Sequence, residues 1–155
     1  MTDTIETRLA ARGIVLPEAA APAANYRPWV ISGALLFISG QLPLSNGTMT
    51  AKGLLGRDLD TEAGQRAAEL CAINLIAQAK AALDGDLERI VQLVKITGFV
   101  ASDPGYTDQH LVVNGASNLL AEMLGERGKH ARAAVGTACL PLNAAVEVEA
   151  IIEIR

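Results

Sequence analysis

Apolar positions change their spacing several times along the chain, and each change marks an element. Residues 3–11 carry a short helical pattern that Thr2 or Asp3 would cap and Gly13 would stop. Pro17 to Ala24 form an Ala/Pro stretch without a period, read as an extended loop. From Tyr26 the spacing becomes strand-like. Trp29-Val30-Ile31, a Gly33-Ala34 turn and Leu35-Leu36-Phe37-Ile38 running into Ser39-Gly40-Gln41 predict a hairpin. Asn46-Gly47 signals another tight turn, and Lys52 to Asp60 reads as an exposed loop.

A helical period returns after Asp60 and Thr61, either of which can cap it, with Ala68, Ala72, Leu75, Ile76, Ala79 and Leu83 on one face as far as Gly85. Ile90 to Val100 is a β-rich run closed by the turn Ser102-Asp103-Pro104-Gly105. A second helix places Val112, Ala116, Leu119, Leu120 and Met123 on one stripe and ends at Gly125 or Gly128. Two strands follow, Ala131 to Cys139 and Ala145 to Ile154. In the last, period-two alternation puts Val146, Val148, Ala150, Ile152 and Ile154 on one face and Glu147, Glu149, Ile151 and Glu153 on the other.

The order β-β-(β)-α-β-α-β-β has too few helices to cover both faces of a sheet, so an α+β fold with the helices on one face is expected. The bare face would then need a partner, which favours a symmetric homo-oligomer. Composition agrees: 155 residues, 50% hydrophobic and only 19% charged, suit one domain over residues 1–155 with some aliphatic surface buried between subunits. Lys+Arg 13 against Asp+Glu 17 gives a net charge of -4, and 3% aromatic residues supply few stacking platforms, which argues against nucleic acid as a partner. Cys71 and Cys139 lie in apolar runs without paired spacing, as expected in a reducing compartment. The N-terminal residues lack the features of a secretory or mitochondrial signal, and no apolar run is long enough to span a bilayer, so a cytoplasmic chain without membrane association is expected.

Recognisable cofactor chemistry is missing from the motifs. His110 and His130 are 20 residues apart with neither cysteine at a ligand-like spacing, so no metal is expected. There is no Gly-x-Ser-x-Gly elbow, no Gly-x-Gly-x-x-Gly and no Walker sequence. What remains is Arg132 in the small-residue run Ala131-Arg132-Ala133-Ala134-Val135-Gly136 and Glu147 in the last strand. Taken alone, such an arginine is a surface residue or half of an ion pair, and alternating glutamates are a solvated strand face.

The segment Arg132-Ala-Ala-Val-Gly-Thr-Ala-Cys-Leu-Pro141, followed by Ala145-Val-Glu147-Val-Glu149-Ala150, resembles the C-terminal signature of the reactive intermediate deaminase family, also called YjgF or endoribonuclease L-PSP. Phe37-Ile38-Ser39-Gly40-Gln41-Leu42-Pro43 is similar to its first signature, Leu93 to Val100 to its central strand, and Val113-Asn114 to the Val-Asn of its second helix. The resemblance covers about residues 20–155, leaving residues 1–20 as an N-terminal extension. It implies a chorismate-mutase-like fold with two long helices on one face of a mixed sheet, a homotrimer with clefts between subunits, and no cofactor. The implied activity is hydrolysis of enamines and imines such as 2-aminoacrylate to 2-oxo acids and ammonia.

The resemblance gives Arg132 the role of gripping the substrate carboxylate and Glu147 that of positioning the attacking water. It places Tyr26, Gly40, Asn114 and Ala134 at the binding cleft: Gly40 by letting the backbone approach, Ala134 through its N–H. Tyr26 reads equally as a core or interface aromatic, Asn114 as a structural hydrogen-bonder, and Cys139 as a small buried hydrophobe. Gly136 replaces a larger residue of better-known members, and the Leu54–Asp60 loop and N-terminus are longer than theirs, differences that bear on cleft size. A module that binds small carboxylates without turnover uses the same cleft, and an endoribonuclease is a third reading, poorly served by the acidic composition.

Overall fold

The computed structural model describes residues 3–21 and 24–155. Its elements are α1 (Ile5–Ala11), β1 (Trp29–Ser32), β2 (Leu35–Gln41), β3 (Leu44–Ser45), β4 (Thr48–Met49), α2 (Thr61–Ala82), β5 (Ile90–Ala101), α3 (Gln109–Leu124), β6 (Ala131–Thr137) and β7 (Val146–Ile154). The five-stranded sheet runs β1-β2-β7-β5-β6, with β5 and β6 parallel and the other neighbours antiparallel. Parallel neighbours need a crossover, and α3 supplies it. Among the described residues, no helix is long and apolar enough to cross a membrane.

Both long helices lie on one face of this mixed α+β sheet. The stripe Ala68, Ala72, Leu75, Ile76, Ala79 and Leu83 on α2 is buried, as are Val112, Ala116, Leu119, Leu120 and Met123 on α3. They meet Leu36 and Ile38 of β2, Ile96 and Val100 of β5, and the Val146-to-Ile154 alternate row of β7 in one apolar core. The opposite face stays open: Val30, Phe37 and Val135 are 48%, 40% and 43% exposed in the single chain.

Register makes one exception that matters for the site. Ile38 pairs with Ala150, but Gln41 pairs with Val148, so β2 spends three residues where β7 spends two. Such a bulge re-aims the side chains beyond it. Gln41 is thereby buried on the helix side within reach of Gln78, while Gly40 lies against Glu147 on the open face.

Several local expectations need correction. The N-cap of α1 is Thr4, because Thr4 and Thr7 cap each other's backbone reciprocally while Asp3 pairs with Arg8 at 2.6 Å; Thr2 lies outside the described residues. The third strand is a separate short hairpin, β3–β4, beyond Pro43, whose carbonyl accepts from both the backbone N–H and the hydroxyl of Thr50. The Lys52–Asp60 loop is not simply exposed. Leu55 is fully buried and bridges to Ser102, and Asp58 accepts from Leu54 N–H at 2.8 Å. Strand β6 stops at Thr137, short of a turn at Pro141–Asn143 in which Leu142 and Asn143 adopt positive φ, and this leaves Cys139 exposed. Cys71 is buried on the core side of α2, where burial pushes its thiol well above the ordinary range.

Helix α3 packs against the backbone of α2 at Gly115, where a Cβ would overlap the carbonyl oxygen of Gln65. That oxygen belongs to rigid helix backbone and cannot rotate away. Gly115→Ala is therefore expected to destabilise by about 2 kcal/mol, the overpacking cost exceeding the gain in helix propensity. A melting temperature lowered by about 5 °C in a thermal melt checks this; an unchanged or raised value would mean that the helices separate at no cost.

Candidate functional site

Arg132 enters through the edge strand β6, directly beside the fully buried Ile96 of β5, so its side chain leaves the sheet on the helix side. There Nη1 donates to Asn114 Oδ1 at 2.8 Å and to Ser117 Oγ at 3.2 Å, and Nη2 donates to the His110 carbonyl at 3.3 Å. All three acceptors are neutral and come from α3. The ion-pair alternative is absent: no carboxylate lies within 4.0 Å of Arg132 among the described residues. The guanidinium is thus held in place with donors left over and its charge uncompensated, an arrangement suited to an anionic ligand.

Glu147 stands in β7 beside Phe99 and points to the open face. It is partly buried, and burial followed by the charge of Glu149 raises its pKa above the ordinary value of 4.5. A side chain at Gly40 would overlap Glu147 Oε1, so the β2 bulge and the missing Cβ together make room for the carboxylate. A partly desolvated carboxylate with raised pKa is a stronger base than one in water.

Within one chain these two groups do not meet. Arg132 pairs with Ile96 and Glu147 with Phe99, three residues further along the regular part of β5, so their side chains leave opposite faces of the sheet. Asn114 is joined to Arg132 and Gly40 to Glu147, giving two separate clusters on opposite faces. Ala134 follows Arg132 on the helix-side row of β6, beside Gly98 and partly buried against the core. Tyr26 is 53% exposed, which removes the core-aromatic alternative.

At Gly136 a Cβ would lie 2.8 Å from both Gln109 Nε2 and Ser102 Oγ, and the absence of a side chain lets Gln109 donate to Ser102 at 3.2 Å. The Leu54–Asp60 loop ends at the same end of the sheet, with Tyr106 packed over Gly56 and its hydroxyl 2.7 Å from Thr61 Oγ1. Sequence reasoning missed Ser117 and His130 as neighbours of Arg132. The available signal was spacing, since Ser117 lies one turn after Asn114 on α3 and His130 two residues before Arg132. No group of three His, Cys, Asp or Glu side chains forms a metal-binding cluster among the described residues.

Residues 6–154 match the family model described as "YjgF/chorismate_mutase-like, putative endoribonuclease". The chain belongs to this family. The crystal structure of a protein of unknown function from Agrobacterium tumefaciens superposes with a TM-score of 0.92 at 58% identity, covering 97% of this chain and 92% of that one. Protein TCP17 of Trypanosoma cruzi is 51% identical over 146 residues, 92% of this chain and 89% of its own. More distant is the crystal structure of E. coli TdcF with bound serine, at 25% identity and a TM-score of 0.63 over 89% of this chain and 94% of that one. Membership in the YjgF family carries the fold and leaves the activity to be argued from the site.

Proposed function

We propose that the protein is a cofactor-free deaminase that hydrolyses small 2-imino acids of the 2-aminoacrylate type to 2-oxo acids and ammonia, in clefts shared between the subunits of a homotrimer. Its single carrying observation is the Arg132 guanidinium, oriented by three neutral acceptors and lacking a carboxylate partner among the described residues. A planar fork of charged donors suits the carboxylate that every 2-imino acid carries. Serine bound to TdcF supports this choice, being an amino acid with the same carboxylate.

In the proposed reaction 2-aminoacrylate enters as its imine tautomer, a proton having moved from the nitrogen to the terminal carbon, and Glu147 takes a proton from water as the water oxygen adds to the imine carbon. Glu147 returns that proton to the nitrogen, giving a carbinolamine, whose C–N bond breaks as the hydroxyl proton passes to the amino nitrogen, so that a carbonyl forms and ammonia leaves. Water enters, a 2-oxo acid and ammonia leave, and no redox step occurs. Because Arg132 and Glu147 occupy opposite faces of one chain, a complete site needs Arg132 of one subunit and Glu147 of the partner subunit. The uncovered sheet face with Phe37 and Val135 supports assembly of this kind. The net charge of -4 disfavours RNA held along a basic track, while Arg132 supplies a local positive charge for a small anion.

Ammonia release from 2-aminoacrylate generated in situ tests the activity: wild type is expected to accelerate it above the buffer rate. Mixing Arg132→Ala and Glu147→Gln subunits tests the shared cleft. Each variant should be inactive alone, and random re-assembly into trimers should restore about a quarter of wild-type activity, since each mixed ring rebuilds one intact site. No acceleration by assembled wild type would leave a carboxylate-binding module, and no recovery on mixing would place both groups in one subunit's site.

A further inference from the structure

The hydrogen bonds that hold Arg132 continue to a histidine. Ser117 Oγ, which receives Nη1 at 3.2 Å, lies 2.9 Å from His130 Nε2, and His130 Nδ1 lies 2.6 Å from the Gly128 carbonyl oxygen. The partners fix two of the directions, and a neutral ring fixes the third. A guanidinium only donates, so the serine oxygen accepts on that side; a carbonyl only accepts, so Nδ1 carries the ring proton. The neutral imidazole then has its lone pair on Nε2, and the hydroxyl hydrogen of Ser117 points to it. With that hydrogen turned toward His130, the oxygen's lone pairs remain for Arg132.

We propose that Ser117 and His130 are positioning residues for the substrate-gripping arginine, His130 acting through the serine hydroxyl to hold the Arg132 fork in its binding orientation; this rests on the carboxylate reading of Arg132. The line joins two pieces of chain: Ser117 on α3, and the short stretch after α3 that carries Gly128 at the end of its turn and His130 just before β6. Asn114 holds the same nitrogen from one helical turn earlier, so Nη1 is fixed from two directions. A free arginine side chain loses rotamer entropy on binding, and a fork that is already ordered loses less of it. When the acceptor on Nε2 is gone, the serine hydrogen is free to swing toward Nη1 and the bond to Arg132 weakens.

The test uses the full chain and 2-oxobutanoate as probe. Nitrogen NMR of His130, assigned by the signals lost in His130→Gln, should show the proton on Nδ1 and a bare Nε2; a proton on Nε2 overturns the proposal. Ser117→Ala and His130→Phe should each weaken 2-oxobutanoate binding about tenfold, and the double variant should be no weaker than either alone. His130→Gln, which can offer a carbonyl oxygen near the Nε2 position, should recover most of the affinity. Losses that multiply in the double variant, or His130→Gln as weak as His130→Phe, overturn the relay. Affinity lost in Arg132→Ala but kept in Ser117→Ala and His130→Phe also overturns the relay while sparing the carboxylate reading. Wild type that does not bind the probe overturns that reading, and with it the role given to the pair.

Discussion

Arg132→Ala is expected to lower kcat/KM for the in situ imine by about a hundredfold or more while leaving the fold unchanged. The loss follows from charge and geometry together. A bidentate grip on a carboxylate uses two parallel charge-assisted hydrogen bonds, each stronger than a neutral pair, and alanine supplies neither. Arg132→Lys keeps the charge but not the fork, and an ammonium cannot reach two carboxylate oxygens while also satisfying Asn114 and Ser117, so it should recover only part of the loss. Stability is spared because the guanidinium sits at the edge of the sheet, outside the apolar core, and its partners on α3 are only partly buried. Steady-state ammonia release together with a thermal melt separates the two effects. Activity retained in Arg132→Ala would remove the carboxylate grip; activity lost along with the fold would make the residue structural.

Residues whose partners are close in sequence or repeat with a period were legible before any coordinates. The stripes on α2 and α3 and the alternation along β7 each report burial through a period of 3.6 or 2, and the core contains them all. Helices on one face and an open opposite face followed from counting elements. The site was legible as residue types but not as an arrangement. Alternation in β7 assigned Glu147 to its face, yet nothing local says that β6 lies parallel to β5 with Arg132 beside Ile96, because that register is a long-range property. The β2 bulge that turns Gly40 toward Glu147 was hidden for the same reason: Ser39-Gly40-Gln41 reads as ordinary strand until paired with β7. Spacing to other ligand-type residues gives His130 no role, because its contact with Ser117 closes across 13 residues that include the turn after α3. Cys139 was misjudged because an apolar neighbourhood in sequence, Ala138 to Leu140, lies where the chain leaves the sheet.

Glu147→Gln should separate activity from stability in opposite directions. Turnover should fall by about a hundredfold or more, the usual contribution of a general base, because an amide cannot take a proton from water. Stability at neutral pH should rise. Burial and then the charge of Glu149 raise the Glu147 pKa above 4.5, so the folded chain holds this proton more tightly than the unfolded chain does. The stabilisation linked to that proton is complete below the unfolded value and is lost as pH rises through the higher folded value. At neutral pH the folded protein therefore carries an ionised carboxylate at a cost in stability, and the glutamine variant does not. The melting temperature of Glu147→Gln should exceed that of wild type at pH 7 to 8, with the advantage shrinking as both are acidified toward the unfolded value near about pH 4. The same ionisation governs the rate: wild-type kcat/KM should fall on an acid limb whose midpoint is shifted upward from the ordinary glutamate value, and residual activity of the variant should lack that limb. A variant both inactive and less stable at every pH would assign Glu147 to structure. Loss of activity with a gain of stability confined to the higher pH range would identify a carboxylate kept charged in a partly dry site for its chemistry.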